Sequence, residues 1–147
     1  MIRTAIVSAA IDVPALLAEV TSDATGATTL FLGTVRDVND GRNVTGIEYT
    51  AYAEMASDEL QRIALEAGQQ FDGIRVAVEH RLGMLGLTDV SVAIAVAHAR
   101  RAPAMEASRF IIEELKRRVP IWKREHYVEG DLHWVDPTAS HANATSP

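Results

Sequence analysis

Residues 90–99, "VSVAIAVAHA", are nearly all apolar, and this run constrains the fold more than any other. Ten residues are too few to cross a bilayer, which takes about 18. The run therefore reads as a central strand covered on both faces, because a strand with one wet face alternates apolar and polar residues. Elements that cover it lie on either side in sequence. "APAMEASRFIIEELKRRV" (102–119) reads as the longest helix, with Pro103 near its start, Ser108, Ile111, Ile112, Leu115 and Val119 as its buried stripe, and Pro120 as its stop. "MASDELQRIALEAGQQF" (55–71) has helical spacing and ends before Gly73. "IDVPALLAEV" (11–20) is a short helix with Asp12 as cap and Pro14 in its first turn.

The other strands are "RTAIVSAA" (3–10), "GATTLFLGTVRD" (26–37), "VTGIEYTAY" (44–52), "IRVAVEHRLG" (74–83) and two short ones within "IWKREHYVEGDLHWV" (121–135) about Glu129-Gly130. The polar "NDGRN" between the second and third strands predicts that these two form a hairpin, with Arg36 and Arg42 near its loop. "GMLGLTD" (83–89) reads as a turn. The order is βαββαββαββ, an α+β single domain over 1–136 with a mixed or antiparallel sheet and packed helices. A polar tail at 137–147 is expected to be disordered.

Composition removes whole classes of chemistry. There is no cysteine, so disulfides, thiolate metal sites and thiol nucleophiles are excluded, and any sulfur must be carried by another molecule. Neither a membrane span nor a secretory signal is present, which makes the cytoplasm the expected location. The net charge of −6 disfavours nucleic acid. Between Arg100 and Arg124, however, eight basic residues stand against three acidic ones, a local balance of +5 that leaves −11 elsewhere. Such a segment suits a small anion or an acidic tail, and its bland alternative is a solvated helix face.

Within that segment Lys116 falls on the last full turn of the long helix, where a cation complements the helix's negative end. Lys123 follows Trp122 in a strand leaving a proline corner, where alternation puts ammonium and indole on opposite faces. An amine held against apolar walls loses hydration, its pKa falls, and it becomes able to transfer protons. His80, His98, His126 and His133 are scattered without metal-ligand spacing, so no metal is expected. GxxxxGK[ST], GxGxxG and GxSxG are all absent. The residues alone thus define a Lys/Arg-rich anion site suited to a phosphate-bearing metabolite.

Four stretches go further. "FLGTVRDVNDGRNVTGIEYTAYAEMA" (31–56), "HRLGMLGLTDVSV" (80–92), the helix ending "LK", and "VPIWKREHYVEGDLHW" (119–134) together resemble the large, catalytic subunit of molybdopterin synthase over residues 27–134. The resemblance implies an α/β-hammerhead-like fold with no cofactor. It implies conversion of cyclic pyranopterin monophosphate to the molybdopterin dithiolene, with sulfur delivered as a thiocarboxylate on the C-terminal Gly-Gly of a small ubiquitin-like partner. It also implies a homodimer within a heterotetramer, with pocket residues drawn from both copies. By position, Lys116 and Lys123 match the family's two lysines and are the catalytic candidates. Phe31, Arg36, Arg100 and Arg101 are the substrate-binding candidates, Phe31 as aromatic wall and Arg36 on the phosphate. Trp122 is expected to support the lysine pocket.

Two departures stand out. The family has His-Arg where this chain has Arg100-Arg101, and an arginine cannot shuttle protons near neutrality. Either that histidine is dispensable, or His98 substitutes, or the copy is impaired. Thr88 occupies a turn position where the family commonly has glycine. The competing readings are a degenerate paralogue that binds the pterin phosphate without sulfur transfer, and a non-enzymatic dimeric module whose basic segment docks an acidic partner.

Overall fold

The structure, a computed structural model, describes residues 1–128 and the strand at 132–135. The expected tail at 137–147 and the Glu129-Gly130 turn lie outside the described residues. In chain order the elements are β1 (Ile2–Val7), α1 (Val13–Val20), β2 (Ala27–Thr34), β3 (Val38–Asn39), β4 (Arg42–Ala51), α2 (Ala53–Gln70), β5 (Arg75–Arg81), β6 (Gly83–Gly86), β7 (Val90–His98), α3 (Arg101–Arg118), β8 (Ile121–Tyr127) and β9 (Leu132–Val135). The α+β class holds, but the strands divide into two sheets. One runs β1-β5-β7-β2, with β1 and β5 parallel and the other pairs antiparallel. The second is antiparallel, in the order β3-β4-β8-β9, with β6 also paired to β4.

β7 is the central strand that its composition demands, flanked by β5 and β2. Its Val92, Ile94 and Val96 face α2 and α3 and pack with Leu60, Ile63, Ala107, Ile111 and Leu115. Its Ala93, Ala95 and Ala97 face the other way, where Leu16 and Val20 of α1 cover them. Small side chains on that face let the short helix approach closely. Each buried Leu or Ile of these two layers contributes about 1.5–3 kcal/mol relative to exposure.

Local signals set the helix ends. Asp12 accepts a hydrogen bond from the Ala15 amide at 3.1 Å, and Pro14 sits in the first turn of α1. α3 has no side-chain cap of its own. The His98 ring does that work instead. Nδ1 accepts the Arg100 amide at 2.9 Å, which leaves the proton on Nε2 to be donated to the Asp72 carbonyl at 3.0 Å.

Two expectations are overturned. β2 and β4 do not form a hairpin: β2 pairs with β7 from Ala27↔His98 to Thr34↔Val90, while β4 lies in the second sheet against β8. The pairing with the apolar β7 recruits β2, and the hairpin belongs to β3 and β4, whose turn residues Asp40 and Gly41 have φ of 50° and 76°. Second, "GMLGLTD" is only partly a turn. Leu85 is fully buried and pairs with Ile47, which makes Gly83–Gly86 a strand and moves the turn to residues 87–89.

Candidate active site

Pro120 ends α3 and starts β8 within two residues, so the last helical turn and the new strand lead into one region. β8 then alternates strictly. Ile121, Lys123, Glu125 and Tyr127 are buried, and Trp122, Arg124 and His126 point to the outer face. Lys123, 1% exposed, lies opposite Tyr49 of β4, and Tyr49 in turn meets the His80 ring edge-on at 5.3 Å between centroids. Trp122 turns away and stacks edge-on with Tyr52 instead. The apolar support of Lys123 therefore comes from Tyr49 and not from Trp122, because strand alternation separates neighbours in sequence.

The two lysines do converge. Burial, and after it the positive charge of Lys123, lower Lys116 to about 7. Burial also lowers Lys123, offset in part by Glu125 and reinforced by Arg36. Lys123 Nζ is 3.3 Å from Glu125 Oε1, an ion-pair distance without hydrogen-bond alignment. Burial acts to raise Glu125, but hydrogen bonds from Tyr127 and Asn39 and the charge of Lys123 outweigh it and hold the carboxyl below its ordinary range. An ionised carboxylate is thus held inside the fold beside two amines that burial has lowered. His80 is held neutral, because burial and then the charge of Lys116 push it down to about 3. Its Nδ1 lies 3.0 Å from the Arg81 carbonyl and donates to it.

Arg36 reaches the site at the end of β2. Its position is set by the backbone on either side, where Val35 donates to the Asp89 carbonyl at 3.1 Å and accepts from Thr88 at 2.7 Å. Phe31 sits on the same strand opposite Ile94, half-buried against the helix-side core. Arg100 and Arg101 lie elsewhere. They stand at the opposite end of α3 from Lys116, roughly 22 Å away along the axis at ~1.5 Å per residue. There they line an open cavity of about 570 Å³ with Gly26, Ala27, Ala99 and Ala102. His98, at that same end, has both ring nitrogens engaged by backbone and offers no shuttle within this chain.

The rest of the basic segment is largely neutralised. Arg109 pairs with Glu113, Arg117 with Glu114, Arg124 with Glu48, and Arg118 with Glu59, Glu66 and Glu114. The +5 balance counts charges that the fold supplies with carboxylates from α2, α3 and β4, so the cations gathered at this end of α3 contract to the lysines and Arg36, with Arg100 and Arg101 left at the other end. Among the described residues no cluster could hold a metal ion and no helix is long and apolar enough to cross a membrane. Glu125 was readable by alternation from Lys123. Asn39, Tyr49 and His80 had no sequence signal, since they come from three other strands.

The arrangement defines a small α+β protein with a recessed site of two amines, a carboxylate and a guanidinium, suited to proton transfer beside an anionic reactant. The family model described as MoaE protein matches residues 6–118, and the chain belongs to this family. It is 41% identical over 133 residues to a molybdopterin synthase catalytic subunit of Halalkalibacterium halodurans, covering 90% of this chain and 85% of that one. It is also 41% identical over 118 residues to one of Aspergillus fumigatus, covering 80% of this chain and 63% of the fungal protein. The crystal structure of molybdopterin synthase from Staphylococcus aureus superposes with a TM-score of 0.85 at 32% identity, over 89% of this chain and 95% of that one. A complex of subunits 1 and 2 of molybdopterin-converting factor from Helicobacter pylori shares the fold, with a TM-score of 0.74 at 24% identity over 90% of this chain and 89% of that one.

Proposed function

We propose that this chain is the catalytic subunit of a molybdopterin synthase, a sulfurtransferase. It would take sulfur from the C-terminal thiocarboxylate of a small ubiquitin-like subunit and install it on cyclic pyranopterin monophosphate as the dithiolene. The observation that carries this reading is the convergence of Lys116 and Lys123 on one recessed site, with Lys116 lowered to about 7. The curated relatives support it by name. The absence of cysteine fits, because the nucleophilic sulfur belongs to the partner.

Roles follow from the electrostatics. The thiocarboxylate sulfur adds to an electrophilic, oxygen-bearing carbon of the pterin, the oxygen on that carbon takes a proton and departs as water, and the small subunit stays joined to the pterin through a thioester. Water then releases the tail. Lys116, neutral in half the molecules at pH 7, accepts the proton that water loses. Lys123, whose cationic form Glu125 favours against the effect of burial, stabilises the oxyanion on the acyl carbon. Arg36 binds the phosphate, and Phe31 is the wall for the pterin ring. Arg100 and Arg101, remote from the lysines within one chain, complete the pocket of a second copy in a homodimer, one small subunit docking at each end. A docking module is disfavoured, because Arg109, Arg117, Arg118 and Arg124 of the basic segment are already paired with carboxylates of this chain.

The test is a defined reaction of purified chain, thiocarboxylated small subunit and cyclic pyranopterin monophosphate, with molybdopterin followed as its fluorescent oxidised derivative. Product that disappears in Lys123→Ala, with the small subunit still bound, is expected. Wild-type chain that binds the small subunit and forms no product would leave the degenerate paralogue.

A further inference from the structure

The Lys123–Glu125 pair has a third member from a distant part of the chain. Asn39, at the end of β3, donates Nδ2 to Glu125 Oε1 at 2.5 Å, and Lys123 Nζ lies 3.3 Å from the same oxygen. The two head groups therefore meet on one carboxylate atom. The other oxygen, Oε2, accepts from the Tyr127 hydroxyl at 2.5 Å, and the Arg42 guanidinium covers the Tyr127 ring at 3.7 Å. Glu125 is held from both sides.

Two opposite demands remain unmet at this point. Asn39 Oδ1 is a buried acceptor without a donor, and Lys123 Nζ is a buried donor without an aligned acceptor. An unmet buried polar group costs about 1–3 kcal/mol, and native proteins keep such groups where function uses them. A thiocarboxylate or a phosphate can only accept hydrogen bonds, so neither satisfies both atoms. A water molecule accepts from Nζ and donates to Oδ1 at once.

Resting on the synthase reading above, we propose that Asn39 is a positioning residue that, together with Lys123, holds the water which hydrolyses the acyl intermediate. The water oxygen bonds to the carbonyl carbon of the small subunit's terminal glycine while one of its protons passes to the neutral Lys116 amine. The carbon–sulfur bond breaks, and its electron pair stays on sulfur as a thiolate on the pterin. The tail leaves as a carboxylic acid that ionises in solvent, with no change of oxidation state. Oδ1 fixes the water's second hydrogen, which aims an oxygen lone pair at the acyl carbon, and Nδ2 keeps Glu125 in place for Lys123. The charged and titratable groups around this water come from every element at the site: Arg36 after β2, Asp40 in the β3–β4 turn, Tyr49 of β4, His80 of β5, Lys116 of α3, and Lys123, Glu125 and Tyr127 of β8.

Single-turnover reactions of the full chain with thiocarboxylated small subunit and cyclic pyranopterin monophosphate test this, quenched over time and read by intact mass for the small subunit joined to the pterin. Asn39→Ala is expected to bind the small subunit normally, keep KM for the pterin within about twofold and lower kcat by about 10- to 100-fold, the scale of losing one positioned polar group. The joined species, transient in the wild type, should accumulate. Asn39→Asp keeps the acceptor but adds a negative charge beside both lysines, so the rising limb of kcat against pH should move to higher pH. An unchanged kcat in Asn39→Ala overturns the proposal, and so does a fall in kcat without the joined species. Should circular dichroism show Asn39→Ala unfolded, the isosteric Asn39→Asp decides, and an unmoved limb counts against the proposal. A wild-type chain that forms neither product nor joined species overturns the synthase reading itself, and the inference with it.

Discussion

At the scale of single residues, the site works because burial and charge act on neighbouring amines to different ends. Lys116 has no carboxylate of its own among the groups that shift it, so desolvation and the field of Lys123 bring it to about 7, whereas Lys123 has Glu125. A lysine lowered by folding makes stability depend on pH in a defined direction. Between about 7 and the ordinary value near 10.5 the unfolded chain holds the proton and the folded chain does not, so stability rises with pH across that window. Below 7 both states are protonated and the full penalty is present. Lys116→Met, which never ionises, should therefore be more stable than the wild type at pH 6.5 by about 1–3 kcal/mol, the gap closing by pH 9.5, while activity falls at least about 100-fold. Urea unfolding at both pH values measures this. A gap that does not change with pH would mean that Lys116 is an ordinary surface lysine.

At the scale of elements, the turn between β6 and β7 carries a strained residue. Thr88 has φ of 69°, in the left-handed region that a β-branched side chain occupies at a cost of roughly 1–2 kcal/mol. Its side chain is exposed, so the strain is not offset by packing. The amide of Thr88 bonds the Val35 carbonyl at 2.7 Å, which ties this turn to the backbone that presents Arg36. A glycine suits that conformation. Thr88→Gly should stabilise the chain by about 0.5–1 kcal/mol after the entropy of glycine in the unfolded state is counted, a rise in Tm of roughly 1–4 °C by calorimetry. Thr88 thus holds at some cost a conformation that glycine adopts without strain.

At the scale of the molecule, the 18-residue α3 separates the candidate site residues into two groups, Lys116 at one end and Arg100 and Arg101 at the other. A single chain cannot place both groups around one ligand. If a second copy supplies the arginines, then Lys116→Ala and Arg101→Ala chains, each inactive alone, should recover activity when unfolded and refolded together. Random pairing gives half heterodimers, each with one intact pocket of two, so about a quarter of the wild-type rate is expected from the twofold symmetry. No recovery would place the whole pocket within one chain. Arg118, bridging α3 to Glu59 and Glu66 of α2, keeps the lysine-bearing end of the helix fixed against the core in either case.

By itself, the sequence determined the elements whose signals are local. The unbroken apolar run of β7, the Asp12 cap, the prolines that bound α3 and the Asp40-Gly41 turn are all readable because the forces that form them act within a few residues. Lys116 and Lys123 were readable as well, through the resemblance. Only the tertiary structure decided that β2 leaves its neighbour for β7, that Leu85 makes a strand of an apparent turn, and that Trp122 finds Tyr52 on the face that alternation gives it. It alone brought Asn39, Tyr49 and His80 around the amines. Those placements depend on which apolar faces bury each other across the whole chain, and on charges that gain or lose water as they do so, and neither is a property of any short stretch of residues.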